Sequence, residues 1–146
     1  MKNLLISATL LLLASSCSVG QPKIDYGHDE CAHCRMNVMD KKYAAAITTV
    51  KGRSYVFDGP ECMVPFVAKD AKVPEAEVKA WYVSDFAHPG TMLDATKAFF
   101  LHSTKFQSPM NGDVAAFSTD AERKAAEAEY TGEELDWAGA KKLLSE

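Results

Sequence analysis

Residues 43–68 have the sequence YAAAITTVKGRSYVFDGPECMVPFVA, and this stretch decides the predicted fold. Its first part contains two runs rich in β-branched and aromatic residues, 43–50 and 54–57, on either side of Lys51-Gly52-Arg53. Two such runs around a short turn that contains Gly are typical of a β-hairpin. The first part of the stretch therefore predicts two antiparallel strands.

The second part of this stretch predicts a helix directly after the hairpin. Asp58-Gly59-Pro60-Glu61 places capping residues ahead of a Pro and an acid, and both of these are favoured in the first turn of a helix. The helix is predicted over about residues 60–68. Pro65 indicates that this helix is short or bent, because Pro removes one helical hydrogen bond.

The same order of elements is predicted a second time along the chain. Residues 98–130 contain an apolar aromatic run, a turn, a second strand-like run and a helix whose first turn carries the capping-box pair Thr119 and Glu122. Strand, strand, helix over 43–68 is thus echoed over 98–130. The individual predicted elements outside 43–68 are strands at 78–85, 98–102 and 114–117, a helix at about 121–130 and a short C-terminal helix at 136–144.

Four potential ligands of soft metal ions lie within six residues, in the segment Cys31-Ala32-His33-Cys34-Arg35-Met36. Two thiols, an imidazole and a thioether on one loop favour copper(I), because sulfur donors select soft cations and carboxylates select hard ones. Met110 is a further candidate, since it lies in a polar turn where a thioether has no reason to pack. The loop therefore predicts a copper(I) site at Cys31, Cys34 and Met36, with His33 as an additional ligand or a neighbour of the ligands, and Met110 is a separate candidate ligand with core packing as the alternative.

Two other residues are weaker candidates for metal ligation. His102 lies on an apolar aromatic strand near the second turn, which makes it the better candidate among the remaining histidines. Cys62 is predicted to be a small buried hydrophobe, with metal ligation as the alternative.

Other interpretations of the Cys31–Met36 loop explain fewer of its residues. A structural zinc site needs four ligands, but there is only one Cys-x-x-Cys pair. Haem attachment requires His directly after the second Cys, where Arg35 stands instead. A thioredoxin-like dithiol normally follows a buried strand, which is not predicted before Cys31. A disulfide within the loop stays open as an alternative, although only copper(I) also accounts for Met36.

The first residues have the pattern of an export leader. Lys2 is followed by an apolar run over 4–13, which is too short to span a bilayer, and then by small residues up to Cys17. A Cys in this place resembles a bacterial lipobox. We therefore predict a signal peptide at 1–16, a tether at 17–30 anchored to a membrane through a lipid on Cys17, and a domain at 31–146, all outside the cytoplasm. An ordinary secretory signal with a free Cys17 thiol is the alternative.

Charge and cysteine number limit the function further. Removing residues 1–16 from the 146 leaves 130 residues, and the loss of Lys2 changes the formal net charge from −4 to −5. A chain this acidic, without a basic stripe, is not expected to bind nucleic acid. With Cys17 lipidated three cysteines remain, an odd number that a pure disulfide framework cannot use completely.

Taken together, the motifs resemble those of the NosL family, accessory lipoproteins of nitrous-oxide reductase that act as copper(I) chaperones. The likeness runs from the leader to about residue 118, and it departs at Arg35, where the family commonly has Gly. The motifs that carry it are the lipobox-like leader, Glu30-Cys31-Ala32-His33-Cys34-Arg35-Met36, Phe57-Asp58-Gly59-Pro60-Glu61-Cys62-Met63, and Ser108-Pro109-Met110 ahead of Val114-Ala115-Ala116-Phe117.

The resemblance implies an α+β fold of two small strand-strand-helix (ββα) units packed as one compact domain with a short C-terminal helix. It also implies a copper(I) site that joins Cys34 and Met36 to Met110, and nitrous-oxide reductase apoprotein as the copper acceptor. No catalytic constellation is present in the sequence, so we expect a binding protein rather than an enzyme. The alternative function is a thiol-disulfide oxidoreductase that uses Cys31 and Cys34, and a third is a structural lipoprotein.

Overall fold

The computed structural model describes residues 20–70 and 72–146 of the chain, so the predicted leader and Cys17 lie outside the described residues. Seven strands and three α-helices are formed in this part. In chain order they are β1 Ala45–Thr49, β2 Ser54–Phe57, α1 Pro60–Ala68, β3 Val78–Ser84, β4 Met92–Asp94, β5 Phe99–His102, β6 Val114–Phe117, α2 Asp120–Tyr130, β7 Glu133–Leu135 and α3 Trp137–Ser145.

The predicted hairpin is formed by β1 and β2, which pair antiparallel from Ala45 opposite Phe57 to Thr48 opposite Ser54. Gly52 adopts a φ of 80° in the connecting turn, a conformation that Gly reaches without steric cost. The amide of Gly52 donates to the carbonyl of Thr49 at 2.9 Å and closes the turn. The turn residue that the sequence supplies is therefore the one that this geometry requires.

Two small antiparallel sheets contain all the strands of the described residues. The first has four strands in the order β2-β1-β3-β4, and the second has three in the order β6-β5-β7. Helix α1 follows the hairpin of the first sheet, and α2 follows the β5-β6 pair of the second. The α+β class and the two ββα units are thereby confirmed. The first sheet also contains β3 and β4, and the second sheet also contains β7.

Helix α1 begins and ends where the sequence predicts. Pro60 occupies its first turn, where the missing N–H is not needed, and Gly59 precedes it in an extended conformation. Pro65 lies inside the helix, which ends at Ala68 after nine residues. The short helix presents Cys62, Met63 and Phe66 to the core.

Helix α3 and one backbone hydrogen bond join the two units. The ring of Trp137 lies 5.4 Å from Trp81 of β3 and 5.7 Å from Phe100 of β5, so a single side chain contacts both sheets. The amide of Phe86, just after β3, donates to the carbonyl of Ala116 in β6 at 2.8 Å. One core cluster accordingly contains residues of both units.

The segment ahead of Cys31 packs on this core. Ile24 and Tyr26 contact the core cluster, and the amide of Gly27 donates to the carbonyl of Val38 at 2.9 Å. The boundary predicted between residues 30 and 31 thus lies inside a packed segment. Among the described residues, no helix has the length and apolar character needed to cross a bilayer.

Candidate metal centre

Three thiols converge where the Cys31–Met36 loop meets the first turn of α1. The Sγ atoms of Cys31, Cys34 and Cys62 lie within 4.8 Å of one another, and none of the three forms a disulfide. With metal–sulfur bonds of about 2.3 Å, sulfurs in a tetrahedral or trigonal site lie roughly 3.8–4.0 Å apart. The three thiols can therefore bind one metal ion with only small side-chain movements.

The loop holds Cys31 inward through a short set of backbone hydrogen bonds. The amide of Cys31 donates to the carbonyl of Met36 at 2.8 Å, and the amide of Arg35 donates to the carbonyl of Cys31 at 3.0 Å. The amide of Ala32 donates to Val56 of β2 at 2.9 Å and fixes the loop to the first sheet. As a result Cys31 is fully buried, and Cys34 is half-buried at the open side of the site.

Cys62 joins these two thiols from the first turn of α1. Pro60 starts the helix, and the amide of Cys62 donates to the carbonyl of Gly59 at 3.0 Å. Its side chain is fully buried, in agreement with its predicted place in the core. Its sulfur nevertheless faces the other two, so the structure places it with the candidate ligands.

The hydrogen bonds among the thiols favour ionisation of Cys31. The pKa of Cys31 is lowered chiefly because its sulfur accepts a hydrogen bond from the Cys62 thiol, with backbone amides adding to the effect. The pKa of Cys62 is correspondingly raised, because it donates that hydrogen bond and is buried. Burial also raises the pKa of Cys34. The hydrogen bonds thus favour the thiolate form of Cys31, and metal binding must displace the protons that remain on the other thiols.

Two buried carboxyl groups flank the thiols and were not recognised as part of the site from the sequence. Asp58 and Glu61 stand on either side of the start of α1, and burial raises the pKa of each. Asp58 Oδ1 and Glu61 Oε2 are buried without a hydrogen-bond partner. Burial disfavours the charged form of each acid, and a cation bound at the neighbouring thiols would offset that cost and favour their ionisation.

The turn that contains Met110 packs against the same first turn of α1. The amide of Met110 donates to Glu61 Oε1 at 3.3 Å, and Glu61 directly precedes Cys62. A Cβ atom placed on Gly112 would approach Glu61 Cβ to 2.6 Å, so only Gly permits this close packing. The Met110 side chain is 40% exposed. Both this turn and the Cys31–Met36 loop lie at the start of α1. This placement is consistent with the prediction that the two segments approach each other.

Met36 is the last residue of the loop and is 47% exposed. Its carbonyl accepts the hydrogen bond of the Cys31 amide, which fixes its backbone beside the buried thiol. The two candidate thioethers are thus accessible, whereas Cys31 and Cys62 are buried. This arrangement places the soft neutral donors at the surface and the thiols beneath it.

The two candidate histidines lie outside the thiol cluster. His33 Nδ1 is 2.9 Å from Asp70 Oδ2, so its ring links the loop to the end of α1. His102 lies in β5, where it is opposite Val114 and Glu133. In the described part of the chain, the potential ligand group at the thiols contains three cysteines and no histidine.

Comparisons with known proteins identify the family and agree with the fold. The family model of NosL matches residues 24–142. The crystal structure of the copper chaperone NosL from Shewanella denitrificans is similar in fold, with a TM-score of 0.70 and 19% sequence identity. That match covers 82% of this chain and 94% of the other. No curated protein matches the sequence.

Proposed function

This chain belongs to the NosL family, as its motifs predict, and from this premise we propose that it is a copper(I) chaperone. The observation that carries the proposal is the convergence of three free thiols within 4.8 Å. Thiolate sulfur is the donor that copper(I) prefers. The structural neighbour from Shewanella denitrificans is a copper chaperone, which supports the same cargo.

We propose that the thiols of Cys31, Cys34 and Cys62 hold the ion and that Met36 and Met110 serve as exchangeable ligands. The cysteines are buried or half-buried, while both thioethers are exposed. An incoming ligand from an acceptor can therefore replace a neutral thioether first, and copper then moves by ligand exchange without being released as a free ion. A closed cage of four thiolates would offer no such route.

A competition experiment tests the choice of metal. The purified reduced protein is expected to bind one copper(I) per chain and to keep it when zinc(II) is supplied at an equal free concentration. Softness matching is the reason, because the donor set is dominated by sulfur. Displacement of copper(I) by zinc(II) under these conditions would contradict the proposal.

The variant Cys62→Ala tests whether the third thiol is a ligand or only a core residue. Ala preserves a small apolar group in the buried position, so the fold is expected to persist. Copper(I) affinity should fall because an anionic donor is lost. A copper(I) affinity equal to that of the wild type, with an unchanged melting temperature, would show that Cys62 is only a core residue.

We further propose that the protein is exported and anchored to a membrane through a lipid on Cys17. The leader pattern at 1–16 supports this, and Ile24 already packs on the domain core. The seven steps from Cys17 to Ile24 span at most about 25 Å, so the lipid would hold the site close to the membrane surface. Cys17→Ser should abolish lipid labelling and release the protein into the soluble exported fraction, and retention with unchanged mass would contradict the anchor.

The acceptor that we propose is the apoprotein of nitrous-oxide reductase, on the strength of the family resemblance. Transfer of copper from the loaded chain to the apoprotein is the corresponding test. Transfer should proceed in the presence of a chelator that captures free copper(I). If the chelator stops transfer completely, direct delivery is excluded.

The alternative of a thiol-disulfide oxidoreductase is less consistent with the burial of the thiols. Cys31, whose pKa is lowered, is fully buried, and reactive cysteines of such enzymes are partly exposed. That function also assigns no role to Cys62, Met36 or Met110. A binding and delivery protein uses all of these residues.

A further inference from the structure

Glu61 connects the two parts of the proposed copper site. It lies in the first turn of α1, where it directly precedes Cys62, and its Oε1 accepts a hydrogen bond from the amide of Met110 at 3.3 Å. Cys62 belongs to the thiol cluster, whereas Met110 lies in the turn between β5 and β6. One residue therefore links the segment that carries a thiol to the segment that carries a thioether.

The Glu61 side chain is confined between two glycines. A Cβ atom on Gly59 would overlap its carboxylate, at 2.7 Å from Glu61 Cδ, and a Cβ atom on Gly112 would lie 2.6 Å from Glu61 Cβ. Neither Gly adopts a positive φ, so the need for space, and not backbone conformation, accounts for both of them. A larger residue at either position would displace the carboxylate or the turn that contains Met110.

The turn at 108–113 is closed by its own hydrogen bonds and carries backbone strain. The Ser108 hydroxyl accepts a hydrogen bond from the amide of Asp113 at 2.9 Å, and the Ser108 carbonyl accepts one from the amide of Asn111 at 3.1 Å. Asn111 and Asp113 adopt φ values of 58° and 53°, in the left-handed region, which raises the energy of the turn. Such a conformation persists where surrounding contacts hold it in place.

Glu61 supplies contacts of this kind from α1. Burial raises the pKa of Glu61, and hydrogen bonds from its own amide, from the Ser108 hydroxyl and from the Met110 amide act against that rise. Because the Ser108 hydroxyl accepts from the Asp113 amide, its proton is free to be donated to the carboxylate. The carboxylate thus accepts hydrogen bonds at two points of the turn, its first residue and the residue that carries the thioether.

We propose that Glu61 is a positioning residue of the copper site, which holds the Met110 turn against α1 so that the thioether is close to the thiols before copper(I) arrives. This inference rests on the proposed function, because Glu61 acts through the proposed ligand Met110. A ligand that is held in place before binding loses less conformational entropy when the ion arrives, so that binding is tighter. Glu61 itself gives no donor atom to copper(I), since a carboxylate oxygen is a hard donor.

Two substitutions of Glu61 separate positioning from an effect of charge. Glu61→Leu removes the acceptor oxygens and keeps the bulk, whereas Glu61→Gln keeps an amide oxygen that can accept from Met110. In a copper(I) titration against a competing chelator, Glu61→Leu should bind about tenfold more weakly than the wild type. Glu61→Gln should stay within about threefold of the wild type, because the hydrogen bond to the turn is kept. An equal loss in both variants would overturn the inference, since it would assign the effect to the negative charge.

A double-mutant cycle with Met110→Leu separates positioning from a general loss of stability. If Glu61 acts through Met110, the loss of affinity caused by Glu61→Leu should disappear once the thioether is absent. Gly112→Ala gives a second route to the same result, because its Cβ displaces the turn without changing Glu61. It should reproduce the loss even if Glu61→Leu does not fold. A loss that persists in the Met110→Leu background would contradict the positioning role.

Hydrogen exchange of the Met110 amide tests the same contact in the metal-free protein. This amide should exchange at least about tenfold faster in Glu61→Leu than in the wild type or Glu61→Gln, because it loses its acceptor. Asp58→Asn is the matched control, since Asp58 is the other buried acid at the start of α1 but accepts from the amide of Met39. This control should leave the exchange unchanged. A Met110 amide that is equally protected in Glu61→Leu would overturn the inference, whereas a wild-type protein that binds no copper(I) would instead refute the proposed function.

Discussion

Arg35 adopts a φ of 68° at the end of the Cys31–Met36 loop, in the left-handed region that non-Gly residues rarely enter. Its amide still donates to the carbonyl of Cys31, so the loop requires this conformation to close. A Gly at this position would adopt the same conformation without steric cost, so Arg35 carries a local cost in backbone energy. The side chain compensates in part through an ion pair with Glu30.

A comparison of Arg35→Gly with Arg35→Ala isolates that cost. Both variants lose the ion pair with Glu30, but only Gly relieves the left-handed strain. Arg35→Gly should be more stable than Arg35→Ala by about 1 kcal/mol, measured as the free energy of unfolding in urea without metal. Equal stability of the two variants would show that the loop relaxes to another backbone conformation.

Single residues also show where sequence patterns reach their limit. Met36 was predicted as a ligand from its place in the sulfur-rich loop and Met110 from the polarity of its turn, and the structure leaves both side chains exposed. For Cys62 the sequence left two roles open, because apolar neighbours fit either role. Its position in the first turn of α1 could be predicted, but its approach to Cys31 depends on how the loop folds back on the helix, which no local pattern reveals.

At the scale of elements, α2 is fixed to β7 by a buried arginine. The Arg123 side chain is 3% exposed, and its guanidinium lies 2.7 Å from both Asp120 and Glu134 and 3.3 Å from Glu127. A buried charge of this kind is tolerated only when it is paired. The ion pairs therefore hold the second unit together at a point where few apolar contacts are available.

Arg123→Ala should accordingly destabilise the protein by roughly 2–3 kcal/mol, since it removes the buried cation shared by three ion pairs and leaves three acids close to one another. Lys124→Ala is the matched control, because exposed Lys124 pairs with the same Asp120 at 2.7 Å. That control should change the free energy of unfolding by about 0.5 kcal/mol or less. Similar losses for the two variants in chemical denaturation would contradict the assigned importance of burial.

The loop that contains His88 should make stability depend on pH when metal is removed by a chelator. Hydrogen bonding to Asp85 raises the pKa of His88 above its ordinary value of 6.5. The protonated ring therefore stabilises the fold fully below about pH 6.5, and this contribution disappears as the pH rises through the raised pKa. The stability difference between wild type and His88→Ala should shrink between acidic and alkaline pH in urea unfolding. A difference that grows with pH would reverse the assignment.

Elements differ in how well the sequence predicts them. Helix α1 was predicted with its observed bounds, because Pro60 and the capping residues mark its start. Strands β4 and β7 were not predicted, since each has three residues and β7 begins with two glutamates. Their pairing with β3 and β5 comes from tertiary contacts, which override weak local propensity.

At the scale of the whole molecule, two ββα units share one core and meet around Trp137, Trp81 and Phe100. In the proposed metal centre, the thiols come from the first unit and the loop ahead of it, and Met110 comes from the turn of the second unit. This joint construction could be anticipated only from the family resemblance. It also makes a copper(I) ion at the centre a link between segments 74 positions apart in the sequence.

The measurement that tests this account most directly is a copper(I) titration against a competing chelator on the wild type, Met36→Leu, Met110→Leu and the double variant. Met39→Leu is the control, since Met39 is exposed but its sulfur lies beside Gly27. Each of the two single variants should weaken binding by a similar factor, and the double variant should lose less than the sum. The coupling energy should be about 0.5–3 kcal/mol, as expected for ligands of one ion. Strict additivity, or a Met110→Leu variant that binds like the wild type, would contradict a site shared by the two loops.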